Sequence, residues 1–157
     1  MTTHDKKRRE DSITDMTEYV LPQHANVMNS VFGGQIMAWV DLCGAICAQR
    51  HSGRVALTAF VDDFKFERPV KVGEVVCVRA HVMATFRSSM EIAVVASGED
   101  PRSGRRWPCV TALLTYVAID DAGKPTPVPA LVLDTDEARK DQAAAEERRR
   151  IRLAIAP

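Results

Sequence analysis

One stretch of the sequence, "GGQIMAWVDLCGAICAQRH" at residues 33–51, limits the possible folds most strongly. Its apolar side chains fall on almost every side of a helix, a pattern typical of a helix that is buried all round. Such a helix requires other elements wrapped around it. The stretch is long enough to span a bilayer, but Gln35, Asp41 and Gln49 interrupt it, so we do not expect a membrane span.

The rest of the chain predicts strands that are able to wrap this helix. Alternating or β-branched patterns predict strands at residues 12–21, 55–66, 75–86, 89–97 and 107–119. Four of them follow one another after the helix, which favours an antiparallel sheet and an α+β fold class. A polar segment from about residue 134 to 153 predicts a C-terminal helix. We expect its arginine cluster at 148–152 to be a solvated or inter-subunit helix end rather than a phosphate contact.

Composition narrows the functional classes. The chain has 157 residues, of which 46% are apolar and 27% charged, and its formal net charge is zero. We divide it into a disordered N-terminus (1–11), one domain (12–131) and a C-terminal helical extension (132–157). A neutral chain has no global field that attracts nucleic acid or membranes, so we expect neither as a partner. The N-terminus lacks the apolar segment of a secretory signal, which favours a cytoplasmic location.

The four cysteines predict neither a disulfide framework nor a metal site. They form no CxxC pair and no cysteine–histidine cluster with zinc-like spacing. All lie in apolar sequence, and we expect buried, reduced thiols at Cys43, Cys47, Cys77 and Cys109.

Asp41 is the only acid in the helical stretch. The residues three and four positions away are Met37, Ala38, Gly44 and Ala45. None of them can neutralise a carboxylate, and an acid in an apolar wall is expected to be a stronger base than one in water. Gly33 and Gly34 open the same helix. The first amides of a helix lack partners within it, so they are able to hold an oxygen that gains negative charge.

Several separated motifs between residues 14 and 131 match one known family in order and spacing. They include "PQHANVMNSVFGGQIMAWVD", "LTAFVDDFKFERPVKVGE", "RSSME" and "YVAIDDAGKPTPVP". Together they resemble the hotdog-fold acyl-CoA thioesterases. The resemblance is closest to the acyl-CoA hydrolase branch, which includes bacterial short-chain enzymes and the mammalian brain-type and brown-fat-type enzymes. The C-terminal helical segment lies outside it.

The resemblance implies a hotdog fold, in which a curved antiparallel sheet wraps one central helix. Two protomers are expected to join edge to edge, usually in trimers of dimers, which makes a hexamer. The implied reaction is hydrolysis of acyl-CoA to free acid and CoA, without metal or a cofactor other than the CoA of the substrate. By motif position the catalytic residues are Asp41 and, from the partner protomer, Asn26. The Gly34 amide, beside the thioester oxygen, is the third.

The resemblance also implies residues that bind the substrate. In the family, the segment with Arg87, Ser88, Ser89 and Met90 lies along the CoA moiety, and an arginine with two hydroxyls suits phosphate contacts. Phe32 and Gly33, at the start of the helix, are expected to complete the set.

Alternatives remain at three points. Asp41 is able either to deprotonate a water or to attack the thioester carbon and form a mixed anhydride. Asn26, judged from its local sequence alone, fits an Asx turn. The same fold also suits a non-catalytic acyl-CoA sensor, or a hydratase or dehydratase that pairs His24 with an acid, although we interpret His24 as a loop residue.

Overall fold

The computed structural model describes residues 6–156 and confirms the α+β layout. Two short 3-10 helices, Arg9–Asp11 and Pro22–His24, precede the long helix. The bounds of the five predicted strands differ from the observed ones by no more than two residues, because alternating and β-branched patterns mark strands well. In chain order the main elements are β1 (Lys6–Lys7), β2 (Thr14–Tyr19), α1 (Gly33–Ser52), β3 (Val55–Phe66), β4 (Val75–Thr85), β5 (Ser89–Glu99), β6 (Arg106–Ile119), β7 (Ala130–Leu131) and α2 (Asp136–Ile155).

Five strands form an antiparallel sheet in the order β2-β4-β5-β6-β3. Helix α1 packs against the inner face of this sheet, and the core fills the space between them. Val40 of α1, Ile92 of β5 and Tyr116 of β6 have no exposed surface. Strand β3 lies at one edge and pairs only with β6 among the described strands.

The prediction that α1 is buried on all sides is wrong for the protomer. Met37, Leu42 and Ile46 form an exposed apolar stripe, and Leu42 exposes 55% of its surface. The sheet ends at β3, so one side of α1 has no strand above it. A helix that is apolar all round therefore indicates burial. The pattern does not distinguish burial in the core of one protomer from burial in an interface between two protomers.

The disorder predicted for residues 1–11 is wrong for residues 6–11, while residues 1–5 lie outside the described residues. Strand β1 pairs in parallel with β7. Arg9 donates to the Val82 carbonyl oxygen at 2.9 Å and to Asp141 of α2 at 3.0 Å. These contacts compensate for the polar composition that suggested disorder. Between residues 6 and 156, no helix combines the length and apolar character needed to cross a membrane.

Helix α2 lies on the outer face of the sheet, mainly against β4. Its N-cap is Thr135, whose hydroxyl accepts a hydrogen bond from the Ala138 amide. Gln142 bonds both backbone groups of Thr85 at the end of β4. The arginine cluster near its C-terminus is only partly solvated, because two of its members pair with acids of the sheet.

Candidate active site

Asp41 has partners on two strands of its own protomer. Its Oδ1 accepts a hydrogen bond from the Thr58 hydroxyl at 2.6 Å and from the Tyr116 hydroxyl, whose oxygen is 3.0 Å away. The apolar wall predicted around this carboxylate is therefore wrong: Asp41 is half-buried and two hydroxyls hold one of its oxygens. Among the described residues, no group donates to Oδ2, which remains available to a water or a substrate.

The sheet brings both hydroxyls to Asp41. Thr58 and Tyr116 lie directly opposite each other across β3 and β6. A register shift follows immediately, between Thr58 and Phe60, and such bulges re-aim side chains next to functional sites. Gly44 provides the space, because a methyl group there would overlap the Tyr116 hydroxyl.

Tyr116 remains a hydrogen-bond donor at this position. Burial, together with the negative charge of Asp41, raises the pKa of the Tyr116 hydroxyl well above its usual value. The phenol is therefore protonated at neutral pH, and its single proton is directed either to Asp41 Oδ1 or to the Asp41 backbone oxygen 2.9 Å away.

A cavity of about 250 Å³ opens beside Asp41. Apart from Asp41 and Thr58, its walls are apolar or glycine. The lining residues are Gly34, Met37, Ala38, Asp41, Thr58, Val61, Phe64 and Leu114.

The start of α1 presents unused backbone donors next to this cavity. Phe32 occupies the N-cap position and makes no side-chain cap. The first amides that bond to the Phe32 carbonyl oxygen are those of Gln35, at 3.0 Å, and Ile36. Within residues 6–156, the Gly33 and Gly34 amides have no acceptor, so they are free to bind an anion or a polarised carbonyl.

Asn26 forms the Asx turn that its local sequence favours. Its Oδ1 accepts hydrogen bonds from the amides of Met28 at 2.9 Å and Ser30 at 3.1 Å. Asn29 closes the loop with a φ of 61°, a left-handed conformation that asparagine tolerates. The Asn26 side chain is exposed, and its NH2 group has no acceptor in the described part of the chain.

One protomer does not bring Asn26 to Asp41. Asn26 lines a different cavity, of about 420 Å³, together with Gly33, Ile36 and Arg68. Gly33 and Gly34 therefore face different cavities.

His24, predicted as a loop residue, is the last residue of the short 3-10 helix Pro22–His24 in the connection between β2 and α1. Its Nδ1 accepts a hydrogen bond from the Leu21 amide at 3.0 Å, and its ring packs edge-on against Trp39 with the ring centres 5.0 Å apart. It does not line the Asp41 cavity.

The segment expected to contact CoA forms the turn between β4 and β5. Arg87 is exposed, and Ser88 and Ser89 are half-buried. The turn is held by backbone bonds to Ala118 and to the segment before β7, so the three side chains remain free within the described residues. Met90 has no exposed surface and belongs to the core. Its prediction as a CoA contact is wrong, because side chains alternate along β5 and Met90 points towards α1.

Comparison with known proteins identifies the family. The thioesterase superfamily model matches residues 28–104. A Bacillus subtilis protein named as an uncharacterized acyl-CoA thioester hydrolase is 36% identical over 137 residues, which cover 87% of this chain and 80% of the relative. The chain belongs to the thioesterase superfamily. It also aligns with mouse acyl-coenzyme A thioesterase 11 at 35% identity, although it spans only 25% of that longer protein.

Solved structures of this superfamily confirm the hotdog fold and the resemblance to its acyl-CoA hydrolase branch. A hexameric acyl-CoA thioesterase superposes with a TM-score of 0.89 at 32% identity, covering 97% of this chain and 99% of the other. The acyl-CoA hydrolase of Staphylococcus aureus, solved with butyryl coenzyme A, gives a TM-score of 0.85 at 32% identity and covers 95% and 91%. The relatives that this chain covers over most of their length are thioester hydrolases, which supports assigning the chain as a thioester hydrolase.

Sequence reasoning missed three residues of this thioesterase site. Thr58, Tyr116 and Gly44 surround Asp41, yet they come from three different elements. Thr58 stood within a matched motif, and its hydroxyl between the apolar residues Leu57 and Ala59 was the available signal. Tyr116 likewise begins a matched motif, but its contact with Asp41 depends on the pairing register of β3 and β6.

The cysteines lie apart from the Asp41 cavity and are free. Cys43, Cys47 and Cys109 are buried as predicted, whereas Cys77 is half-exposed. Burial raises the pKa of the Cys43 thiol to about 12 and that of the Cys109 thiol to about 11, which keeps both protonated. Among the described residues, no three histidine, cysteine or acidic side chains cluster as metal ligands would.

Proposed function

We propose that this thioesterase hydrolyses acyl-CoA to a free acid and CoA, with Asp41 as the reacting carboxylate. The observation that carries this proposal is the arrangement at Asp41, where two hydroxyls fix one oxygen and leave the other beside a cavity. The relatives described above as acyl-CoA hydrolases supply the substrate class.

Two routes are compatible with a carboxylate held in this way. As a general base, Asp41 Oδ2 takes a proton from water while the water oxygen bonds to the thioester carbon. As a nucleophile, Oδ2 attacks that carbon and forms a mixed anhydride, which water then cleaves. In both routes the carbon–sulfur bond breaks, and the CoA thiolate leaves and takes up a proton.

The Gly34 amide is proposed to stabilise the charge that develops on the thioester oxygen. It lines the same cavity as Asp41, it has no acceptor within the described residues, and it lies at the positive end of the α1 dipole. Donors of this kind act in the transition state, where the carbonyl oxygen is most negative. Phe32 and Gly33 lie at the N-terminal end of α1, and we propose that they contact the substrate there.

Asn26 is proposed to act from a partner protomer, through its unused NH2 group. Its own protomer places it in a different cavity from Asp41. Strand β3 and the neighbouring stripe of α1 leave large apolar side chains exposed, as expected for a surface covered by a second copy. The structural relative described as hexameric supports such self-association.

Substituted forms of the S. aureus enzyme support these assignments. Its solved structures include alanine variants of an asparagine, an aspartate and a threonine, which are separated by 15 and 17 residues. Asn26, Asp41 and Thr58 have the same separations. We propose that Thr58 orients Asp41, and that Arg87, Ser88 and Ser89 bind the CoA phosphates.

The rival functions have less support. In a hydratase, His24 would have to face an acid across the substrate, but its Nδ1 is used by the Leu21 amide. A sensor needs the pocket without the chemistry, so it gives no reason for two hydroxyls on Asp41 and free amides beside it.

The test is release of free CoA from acyl-CoAs of increasing chain length. Asp41→Asn keeps the shape of the side chain and should lower kcat by about 10²- to 10⁴-fold, the usual contribution of such a group. Asp15→Asn is the matched control, because Asp15 is an exposed acid paired with Arg79 on β4. A wild-type protein that hydrolyses no acyl-CoA, or an Asp41→Asn variant as fast as wild type, would contradict the proposal.

Shared sites can be tested by mixing two inactive variants. When Asp41→Ala and Asn26→Ala protomers exchange subunits, random pairing in a two-fold dimer restores roughly a quarter of the sites. Recovery of activity to that level is expected. No recovery after demonstrated subunit exchange would show that Asn26 does not act across the interface.

A further inference from the structure

The C-terminal helix α2 lies outside the matched residues 28–104 and outside the Asp41 cavity. Arg148 and Arg152 are four residues apart, so they share one face of this helix. Both reach acids of the sheet. Arg148 forms a two-pronged ion pair with Glu91 of β5, at 2.5 and 3.1 Å, and the Glu91 side chain is almost completely buried.

Arg152 extends this contact to the edge strand. Its guanidinium donates to Asp62 of β3 at 3.0 Å and lies 4.5 Å from the centre of the Phe60 ring. The Arg152 side chain is only 18% exposed, so solvent screens this pair less than an ordinary surface pair.

The part of β3 that Arg152 contacts is irregular. Register shifts lie on both sides of residues 60–62, and Asp63 has a φ of 53°. A bulge interrupts the ladder of backbone hydrogen bonds that holds an edge strand to its neighbour. Contacts from outside the sheet therefore contribute more to the position of such a strand. Thr58, which bonds Asp41, is two residues from Phe60.

The two faces of the sheet are connected at this point. Glu91 lies opposite Thr115 on β6, and Thr115 lies opposite Phe60 on β3. The side chains at the end of α2 therefore reach β5 and β3, the two strands on either side of β6, on the outer face. We propose that Arg152 is a positioning residue for the active site. It holds residues 60–62 of β3 from the outer face, so that Thr58 keeps its bond to Asp41 on the inner face. This inference rests on the proposed function of Asp41.

The first experiment measures kcat and KM for acyl-CoA hydrolysis in full-length variants. Arg152→Ala should lower kcat about five- to tenfold with little change in KM, because small misplacements of reacting groups cost rate. Arg152→Lys keeps the positive charge and should recover most of the loss. Arg150→Ala is the matched control, since Arg150 pairs with Glu147 within α2 and makes no side-chain hydrogen bond to the described sheet. Asp62→Asn should reproduce the loss without truncating a side chain.

A double-mutant cycle separates positioning from general destabilisation. With Thr58→Val in place, Arg152→Ala should cause no further loss of kcat, because the bond that it protects is already absent. Independent, multiplicative losses would overturn the proposal, as would an unchanged kcat in Arg152→Ala and Asp62→Asn. A loss that occurs only because the oligomer dissociates, measured by sedimentation, would overturn it too. Asp41→Asn in the same assay tests the proposed function separately: if it is inactive while Arg152→Ala is unchanged, only this inference fails.

Discussion

Strands β5 and β3 belong to one sheet, yet they are held by different forces. Strand β5 lies between two others, with Ile92 buried under α1 and Glu91 buried under α2. Strand β3 has one neighbour among the described strands and leaves much of its apolar surface open, as at Leu57. Burial fixes the central strand, whereas polar contacts fix the edge strand, through Thr58 to α1 and through Asp62 to α2. The candidate chemistry therefore lies where burial is weakest and a second protomer is able to approach.

The largest difference between core and edge is expected in stability. Ile92→Ala empties a fully buried position and should lower the free energy of unfolding by about 2–5 kcal/mol. Leu42 of α1 has a side chain isomeric with that of Ile92, but it is 55% exposed. Leu42→Ala should therefore lower the free energy of unfolding of the protomer by less than about 1 kcal/mol. Urea unfolding at low protein concentration measures both.

Leu42→Ala should instead weaken self-association, which sedimentation at increasing dilution detects. If Leu42→Ala destabilises as much as Ile92→Ala while the oligomer is unchanged, the exposed stripe is part of the protomer's own core. The proposed difference between the buried core and the exposed edge would then be wrong.

The next largest effect is expected at Gly44, where α1 touches β6 between the buried core and the open edge of the sheet. Gly44→Ala places a methyl group against the Tyr116 hydroxyl and should displace it from Asp41. We expect kcat/KM to fall about 10- to 100-fold, the loss caused by misplacing a group by about 1 Å.

Gly98→Ala is the matched control for this change. A methyl group at Gly98 would overlap the Trp107 ring in the same way, but Trp107 donates its hydrogen bond to the Pro69 carbonyl oxygen and not to Asp41. This variant should lose stability and keep its kcat. Equal losses of kcat in both variants would show that Gly44 matters only for folding. Tyr116→Phe, which removes only the hydroxyl, should reproduce the kinetic effect of Gly44→Ala.

The same contrast explains what the sequence was able to predict. Alternating or β-branched patterns located β3 to β6, and a long, almost wholly apolar run located α1, because burial determines the composition and spacing of side chains along the chain. Asp41 was found because a lone acid interrupts that pattern. These are properties of single elements, and a periodic sequence records them directly.

The partners of Asp41 depend on relations between elements. Thr58 reaches it beside a bulge in β3, and Tyr116 reaches it because β6 pairs with β3 in one register. The spacing of apolar residues along the sequence predicts neither the bulge nor the register. The exposed stripe of α1 was missed for a related reason, because the same apolar residues occupy positions in a protomer core and in an interface between protomers.

The smallest expected effect is the pH dependence of His51, at the C-terminal end of α1. The helix dipole favours a cation there, but burial lowers the pKa of His51 below its ordinary value of 6.5. The ring has no exposed surface. Its Nε2 lies 2.7 Å from the Pro129 carbonyl oxygen, and Nδ1 has no partner within the described residues. Desolvation therefore outweighs the dipole, and the neutral ring donates from Nε2.

The direction of the pH effect follows from this lowered pKa. The unfolded chain takes up a proton on His51 near pH 6.5, whereas the folded chain resists it, so this stabilisation is present above that pH and is lost as the pH falls. His81, whose pKa is also lowered by burial, acts in the same direction. The free energy of unfolding in urea should therefore be lower at about pH 5 than at about pH 7.5. His51→Gln, which keeps a donor for Pro129, should show a smaller difference. An equal difference would mean that the pKa of His51 is the same in the folded and the unfolded chain.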